Sequence, residues 1–226
     1  MKLTATVLFA LLLTNYGIVA QTRVDFHMMP AVSTSPLDPA FSPDGTHLVF
    51  AMRGDIWKVP ITGGQAEAIT KGPAYYFEPR LSPDGSQLAL VTDIAGNLDI
   101  GLIGPNGGAV KRVTTNSAAD LQPTWNPSGK SLYFTTRRNG NLDIYRLDVS
   151  TGSVSPVVAT NRNEFQPAIS PDGTKLAYIS SVEGRNGSGG IWIKPLPSGE
   201  PSLVHYEETS YRVKPEWSHD GSVLYY

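Results

Sequence analysis

The sequence has no cysteine, which excludes disulfides, thiol catalysis and Cys-based zinc or iron–sulfur sites and leaves core packing to hold the fold. Positive charge is also scarce, with 18 Lys and Arg against 20 Asp and Glu. Nucleic-acid binding needs a basic footprint that such a chain lacks. The four histidines, His27, His47, His205 and His219, stand at no zinc-helix spacing, and no His-Glu-x-x-His occurs. There is no G-x-S-x-G nucleophile elbow. The Gly-Pro-Asn-Gly-Gly run at Gly104 to Gly108 lacks the Lys of a phosphate-binding loop and reads as a turn. Beyond the first twenty residues no apolar run is long enough to cross a membrane.

What the chain does have is turn-forming residues. Its 226 residues include 22 Gly and 18 Pro, with 40% hydrophobic and only 17% charged residues. Such a chain is globular, heavily punctuated and, by composition, all-β. The opening MKLTATVLFALLLTNYGIVA carries Lys2, an apolar core from Val7 to Leu13 and a small-residue end. That pattern predicts a secretory signal peptide over 1–20, cleaved after Ala20. Without it the chain loses one basic residue and no acid, for a net charge of −3. Export to the periplasm or the cell exterior follows, as does the absence of any membrane span after cleavage.

One motif dominates the rest. SPDG stands at Ser42, Ser82 and Ser170, with NPSG at Asn126 and SHDG at Ser218. Each copy has a proline three residues ahead (Pro39, Pro79, Pro123, Pro167, Pro215) and a large apolar residue just before it (Phe41, Leu81, Trp125, Ile169, Trp217). An alternating strand follows each turn. In four copies come a second strand (DIWKVP, LDIGLI, LDIYRL, GIWIKPL), a glycine turn and a short last strand. A period of this length built of short strands predicts blades of four antiparallel strands. Asp-Gly supplies the turn, proline presets it, and the apolar residues, Phe41, Leu48 and Phe50 among them, are expected to face the layers between blades. Each copy is then the core of the next.

P-x-Φ-S-P-D-G-x-x-L-x-Φ, followed by D-I-W or D-I-Y and a glycine turn, resembles the TolB-like β-propeller repeats, relatives of the WD-repeat propellers. Such repeats occur in TolB, in tricorn-type proteases, in prolyl-oligopeptidase relatives and at the N-terminus of some secreted amidohydrolases. The resemblance implies an all-β propeller over 38–226, after a lead-in at 21–37. It comprises four blades and the start of a fifth, which breaks off within its second strand. Propellers close with four to eight blades, so the expectation is an incomplete ring from a longer protein. Open faces of this kind invite association, and the isolated 21–226 piece is expected to be poorly soluble or oligomeric.

Within that frame few residues offer chemistry. DIAGNLDI from Asp93 and RRNGNLDI from Arg137 bring together Asp93, Asn97 and Asp99, or Asn139, Asn141 and Asp143. Oxygen ligands so spaced suit calcium, but the EF-hand order is not met and a hairpin turn is expected. Asn186 heads a formal glycosylation sequon in a glycine-rich loop. The positions best placed for binding are those just before the repeated proline, at the mouth of the channel: Glu78, Gln122, Gln166 and Lys214. Polar groups converging there suit a peptide or a partner protein.

No catalytic, cofactor-binding or metal-binding residue is assigned in this chain. The text FAMRGDIWKVPITGG and GGIWIKPLPSGEP most resembles the amidohydrolase-associated propellers. That resemblance implies a non-catalytic propeller of a larger exported hydrolase, amidohydrolase-like before peptidase-like, gating substrate or docking an attached catalytic domain that would hold any metal. The alternative is a periplasmic TolB-like interaction module in envelope integrity. TolB proteins carry an α/β domain ahead of the propeller, where this sequence has about twenty residues between Ala20 and the first blade.

Overall fold

The computed structural model describes residues 34–181, 189–207 and 214–226. His27, the sequon at Asn186 and the first twenty residues lie outside them.

The repeat folds as four four-stranded antiparallel sheets and a two-stranded one. The first blade is β1 (Leu37–Phe41), β2 (His47–Met52), β3 (Asp55–Pro60) and β4 (Glu67–Ala68). The second is β5 (Tyr76–Leu81), β6 (Leu88–Thr92), β7 (Asp99–Ile103) and β8 (Lys111–Arg112). The third is β9 (Asp120–Trp125), β10 (Ser131–Thr136), β11 (Asp143–Asp148) and β12 (Val154–Val158). The fourth is β13 (Asn163–Ile169), β14 (Lys175–Ser181), β15 (Gly189–Pro195) and β16 (Ser202–Glu207). A fifth begins with β17 (Glu216–Trp217) and β18 (Leu224–Tyr225). Strands pair in chain order within each blade. First strands of successive blades lie against one another, β1 on β5, β5 on β9, β9 on β13 and β13 on β17, so they form the inner wall of the arc.

The SPDG turn is closed by its own side chains. In the first copy Ser42 and His47 pair through Ser42 N–H to His47 C=O, and Gly45 N–H returns to Ser42 C=O at 2.9 Å. Asp44 accepts from Ser42 Oγ at 2.5 Å and from Thr46 N–H at 3.0 Å. Led by the Ser42 hydroxyl, these donors hold the Asp44 carboxyl at about 2. Asp84, Asp172 and Asp220 are held in the same way. Gly45 sits at φ 67°, where a Cβ would be strained and glycine is not.

Middle strands carry the core. All five residues of β6 and all six of β10 are buried, because neighbouring blades cover both faces of the sheet. Leu88, Leu90, Leu98, Ile100, Leu132, Phe134 and Leu147 are fully enclosed, and each such side chain contributes roughly 1.5–3 kcal/mol. One continuous cluster runs from Val49 in the first blade to Leu147 in the third. A second joins Tyr133 and Ile144 to Leu176 and Tyr178 across the third and fourth blades.

Phe41 departs from the sequence expectation. Its counterpart Trp125 is buried against the preceding blade, whereas Phe41 is 64% exposed. The residue is built to cover a preceding blade, and among the described residues none lies on that side. Leu48 is half-buried and Phe50 buried.

Candidate functional site

The residue before the repeated proline has an unusual backbone. Asp38, Glu78, Gln122 and Gln166 all take φ between 51° and 56°, a left-handed conformation that costs a non-glycine residue roughly 1–3 kcal/mol. Each sits in a bulge of the inner strand. Phe77 pairs with Val91 and Arg80 with Ala89, so one residue of β5 is extra. The same slip falls in β1, β9 and β13. Proline is tolerated here because an inner strand has a sheet partner on one side only.

Bonds to the next blade offset the strain. The bulge swings the backbone N–H out of the ladder toward the preceding blade, where a side chain takes it. Gln122 N–H donates to Glu78 Oε2 at 2.5 Å. Gln166 N–H donates to Gln122 Oε1 at 2.9 Å, and Thr135 Oγ1 donates to the same oxygen at 2.8 Å. Gln166 Oε1 is buried and, among the described residues, has no donor. Between the first two blades the short Asp38 side chain is replaced by Arg80, whose Nη1 donates to Asp38 C=O at 3.3 Å and to Pro79 C=O at 2.7 Å. A second rung comes from the residue before SPDG, as Trp125 Nε1 donates to Arg80 C=O at 2.9 Å and Trp217 Nε1 to Ala168 C=O at 3.1 Å.

Of the four positions read from the sequence, Glu78, Gln122 and Gln166 therefore occupy equivalent places on the inner wall, and Lys214 lies just ahead of β17. Glu78 and Gln122 are joined directly, as are Gln122 and Gln166. Lys214 pairs with Glu216 at 2.7 Å and acts electrostatically on Glu78. Burial pushes the Glu78 carboxyl up to about 7, reinforced by Asp38 and opposed by the Gln122 N–H, Arg80 and Lys214. Burial in turn lowers the Lys214 ammonium.

Asp38 and Arg80 belong to the same wall and were not singled out in the sequence. The equivalent of Glu78 in the first copy, the residue before Pro39, was the available signal. Several acids near the starts of strands are buried; Asp99 and Asp143 were noted in the sequence only as possible oxygen ligands, and Asp120 and Glu164 were missed. Asp99, Asp120, Asp143 and Glu164 are each no more than 1% exposed. Arg138 Nη2 reaches both oxygens of Asp120, at 3.1 and 3.2 Å. Arg112 lies 3.3 Å from Asp99, whose carboxyl burial raises to about 6. Thr160 holds Glu164.

The two oxygen-rich turns are hairpins whose groups are taken up by hydrogen bonds to protein atoms. Asp93 accepts the Tyr75 N–H at 2.7 Å, while the Asn97 amide donates to Asn116 and Ala118 carbonyls. Asn139 and Asn141 both donate to Asp143. Among the described residues no group of three or more His, Asp or Glu is arranged to hold a metal. His47 bonds Thr46 beside the first turn, and His205 stacks on Tyr226. Gly104 to Gly108 forms a tight turn closed by Gly107 N–H to Gly104 C=O. Among the described residues no helix is long and apolar enough to cross a membrane.

Clefts open between blades at the SPDG end. One of about 500 Å³ lies between Asp44, His47, Lys58, Leu81 and Asp84. Another of about 730 Å³ is bordered by Lys130, Tyr133, Arg146, Asp148, Lys194 and Glu200. Both mix cationic and anionic groups, so neither presents a field of one sign.

A family model described as the TolB beta propeller domain matches residues 27–226. Among solved structures, TolB from Acinetobacter baumannii is 27% identical with a TM-score of 0.75, over 84% of this chain and 48% of that one. A puromycin-hydrolyzing peptidase from Mycobacterium tuberculosis is 20% identical with a TM-score of 0.63, over 83% of this chain and 34% of that one. An oligogalacturonate lyase from Vibrio parahaemolyticus is 13% identical with a TM-score of 0.63, over 83% and 57%. The chain thus spans about half of TolB or of the lyase, and a third of the peptidase. No curated protein sequence matches it.

Proposed function

The chain belongs to the TolB beta-propeller family, and from that premise we propose that it is the non-catalytic propeller of a longer exported hydrolase, amidohydrolase-like in class, where it gates substrate or docks the catalytic domain. The observation that carries this reading is the use of the inner wall. The Glu78 and Gln122 side chains and the backbone N–H groups of Gln122 and Gln166, freed by their strained bulges, hold blade to blade, as a scaffold does. That a peptidase matches over 83% of this chain and only 34% of its own supports a propeller of this size attached to further domains. Fold likeness by itself carries no chemistry, and on this reading any metal or nucleophile would belong to the attached catalytic domain.

Binding is placed at the inner wall, on the atoms the rungs leave over. These are the second carboxylate oxygen of Glu78 and the NH2 groups of Gln122 and Gln166, with the Lys214 ammonium beside them, paired to Glu216. Together they suit an extended peptide or a partner protein, which offers both donors and acceptors. Export is supported by the first twenty residues, whose pattern is that of a signal peptide.

Reading the gene past the codon for Tyr226 tests the proposal. Further SPDG blades leading into a His-x-His region support an amidohydrolase, and a G-x-S-x-G region moves the assignment to a peptidase. A frame with neither overturns the hydrolase reading. The likeness to TolB at 27% identity favours a second reading in that event, a periplasmic interaction module with no enzymatic activity. Capture of an envelope protein by the wild-type propeller, lost with Glu78→Ala and Lys214→Ala, is its expected signature.

A further inference from the structure

Repetition gives this molecule internal controls. Glu78, Gln122 and Gln166 are equivalent in position, backbone and bulge, and two of them reach into the next blade with the same kind of bond. The side chains differ in one respect. Gln122 offers a neutral amide oxygen, and Glu78 offers a carboxyl that changes charge. We propose that the joint between the second and third blades is protonation-dependent through Glu78, while the joint between the third and fourth, made by Gln122, is indifferent to pH.

The surroundings of Glu78 are of mixed sign. Asp38 of β1 opposes its charge, while Arg80 on β5 itself and Lys214 ahead of β17 favour it. Arg80 is already engaged by the carbonyls of Asp38 and Pro79, and Lys214 by Glu216. Other charges on strands packed against β5 are bonded elsewhere: His47 of β2 to Thr46, Asp55 and Lys58 of β3 to Thr70 and Asn106, and Asp120 of β9 to Arg138. What remains at the carboxyl is one N–H from Gln122 and a part-buried setting that disfavours charge.

The sign follows from linkage. Burial raises Glu78 to about 7 from an ordinary value of 4.5, so the folded chain holds its proton more tightly than the unfolded one. Stability from this group is present in full below pH 4.5 and is lost as pH rises toward 7, by at most about tenfold in the folding constant per pH unit.

The experiment is urea unfolding of the chain from pH 4 to 8, for wild type, Glu78→Gln and Gln122→Glu. Glu78→Gln installs the side chain used at the two equivalent positions, so the rung and the fold are kept. The expected result is a loss of folding constant with rising pH that is shallower in Glu78→Gln and steeper in Gln122→Glu. Parallel profiles for all three overturn the proposal. Should a variant fail to fold, the carboxyl carbon shift of Glu78 in the wild-type chain decides: a midpoint near 7 supports the joint, and an ordinary glutamate midpoint near 4.5 overturns it.

Discussion

The side-chain oxygen of Gln122 accepts the backbone N–H of Gln166 at 2.9 Å, across 44 residues of sequence and one blade of structure. Removing it in Gln122→Ala leaves both that N–H and the Thr135 hydroxyl without their acceptor. A loss of about 1–3 kcal/mol is expected. Gln166→Ala removes an oxygen that has no donor among the described residues and is expected to cost less than about 1 kcal/mol. Urea unfolding of the two variants side by side checks the difference.

Arg138 holds a fully buried Asp120, and Arg138→Ala strands that carboxylate. Breaking a buried pair of this kind costs about 3 kcal/mol or more at neutral pH. Burial already raises Asp120, against bonds from Thr136 and the charge of Arg138, and losing the arginine raises it further. A raised carboxyl favours folding in its protonated form, and that benefit fades as pH climbs. The deficit of the variant is therefore largest near neutrality and narrows on acidification, which thermal melts between pH 4 and 8 will show.

Gly101 occupies the register that Trp57 and Tyr145 hold in the flanking blades. A Cβ there would lie 2.6 Å from Val110 Cγ1 and 3.2 Å from Leu90 Cδ1. Gly101→Ala is expected to cost about 1–3 kcal/mol by overpacking, with partial recovery in Gly101→Ala/Val110→Ala. Chemical denaturation of the single and double variants measures both.

Phe41 presents an apolar ring, 64% exposed, where Trp125 is buried and Leu81, Ile169 and Trp217 are part-buried. Association through this face is expected at micromolar concentrations, and Phe41→Ser is expected to weaken it. Sedimentation velocity over a concentration series distinguishes the two. No concentration dependence in wild type would refute the idea.

The blades were legible because SPDG or a close variant, with its upstream proline and its apolar neighbour, is written out in every copy, so turn chemistry and strand period agreed. The inner-wall positions were legible only as places. That Glu78 and Gln122 bond the next blade depends on a left-handed backbone, and nothing local in a Glu-Pro or Gln-Pro pair announces it, since proline restricts the residue before it toward extended conformations. Asp120 and Glu164 stayed hidden for another reason. Their burial is created by a neighbouring blade, and their partners Arg138 and Thr160 lie 18 residues downstream and 4 upstream, respectively, at no motif spacing. Phe41 shows the reverse failure, since a repeat pattern assumes a neighbour on each side.

The second and third blades each offer a side-chain oxygen to the blade that follows, which meets it with an N–H displaced by its own bulge. The two are separated by one blade length in both joints. Duplicating the third blade therefore leaves its joints chemically matched, because Gln122 alone carries both halves. Ring size in such a lineage is free to grow by copies of that blade, while a loss of even three residues within it would misplace both of its couplings at once.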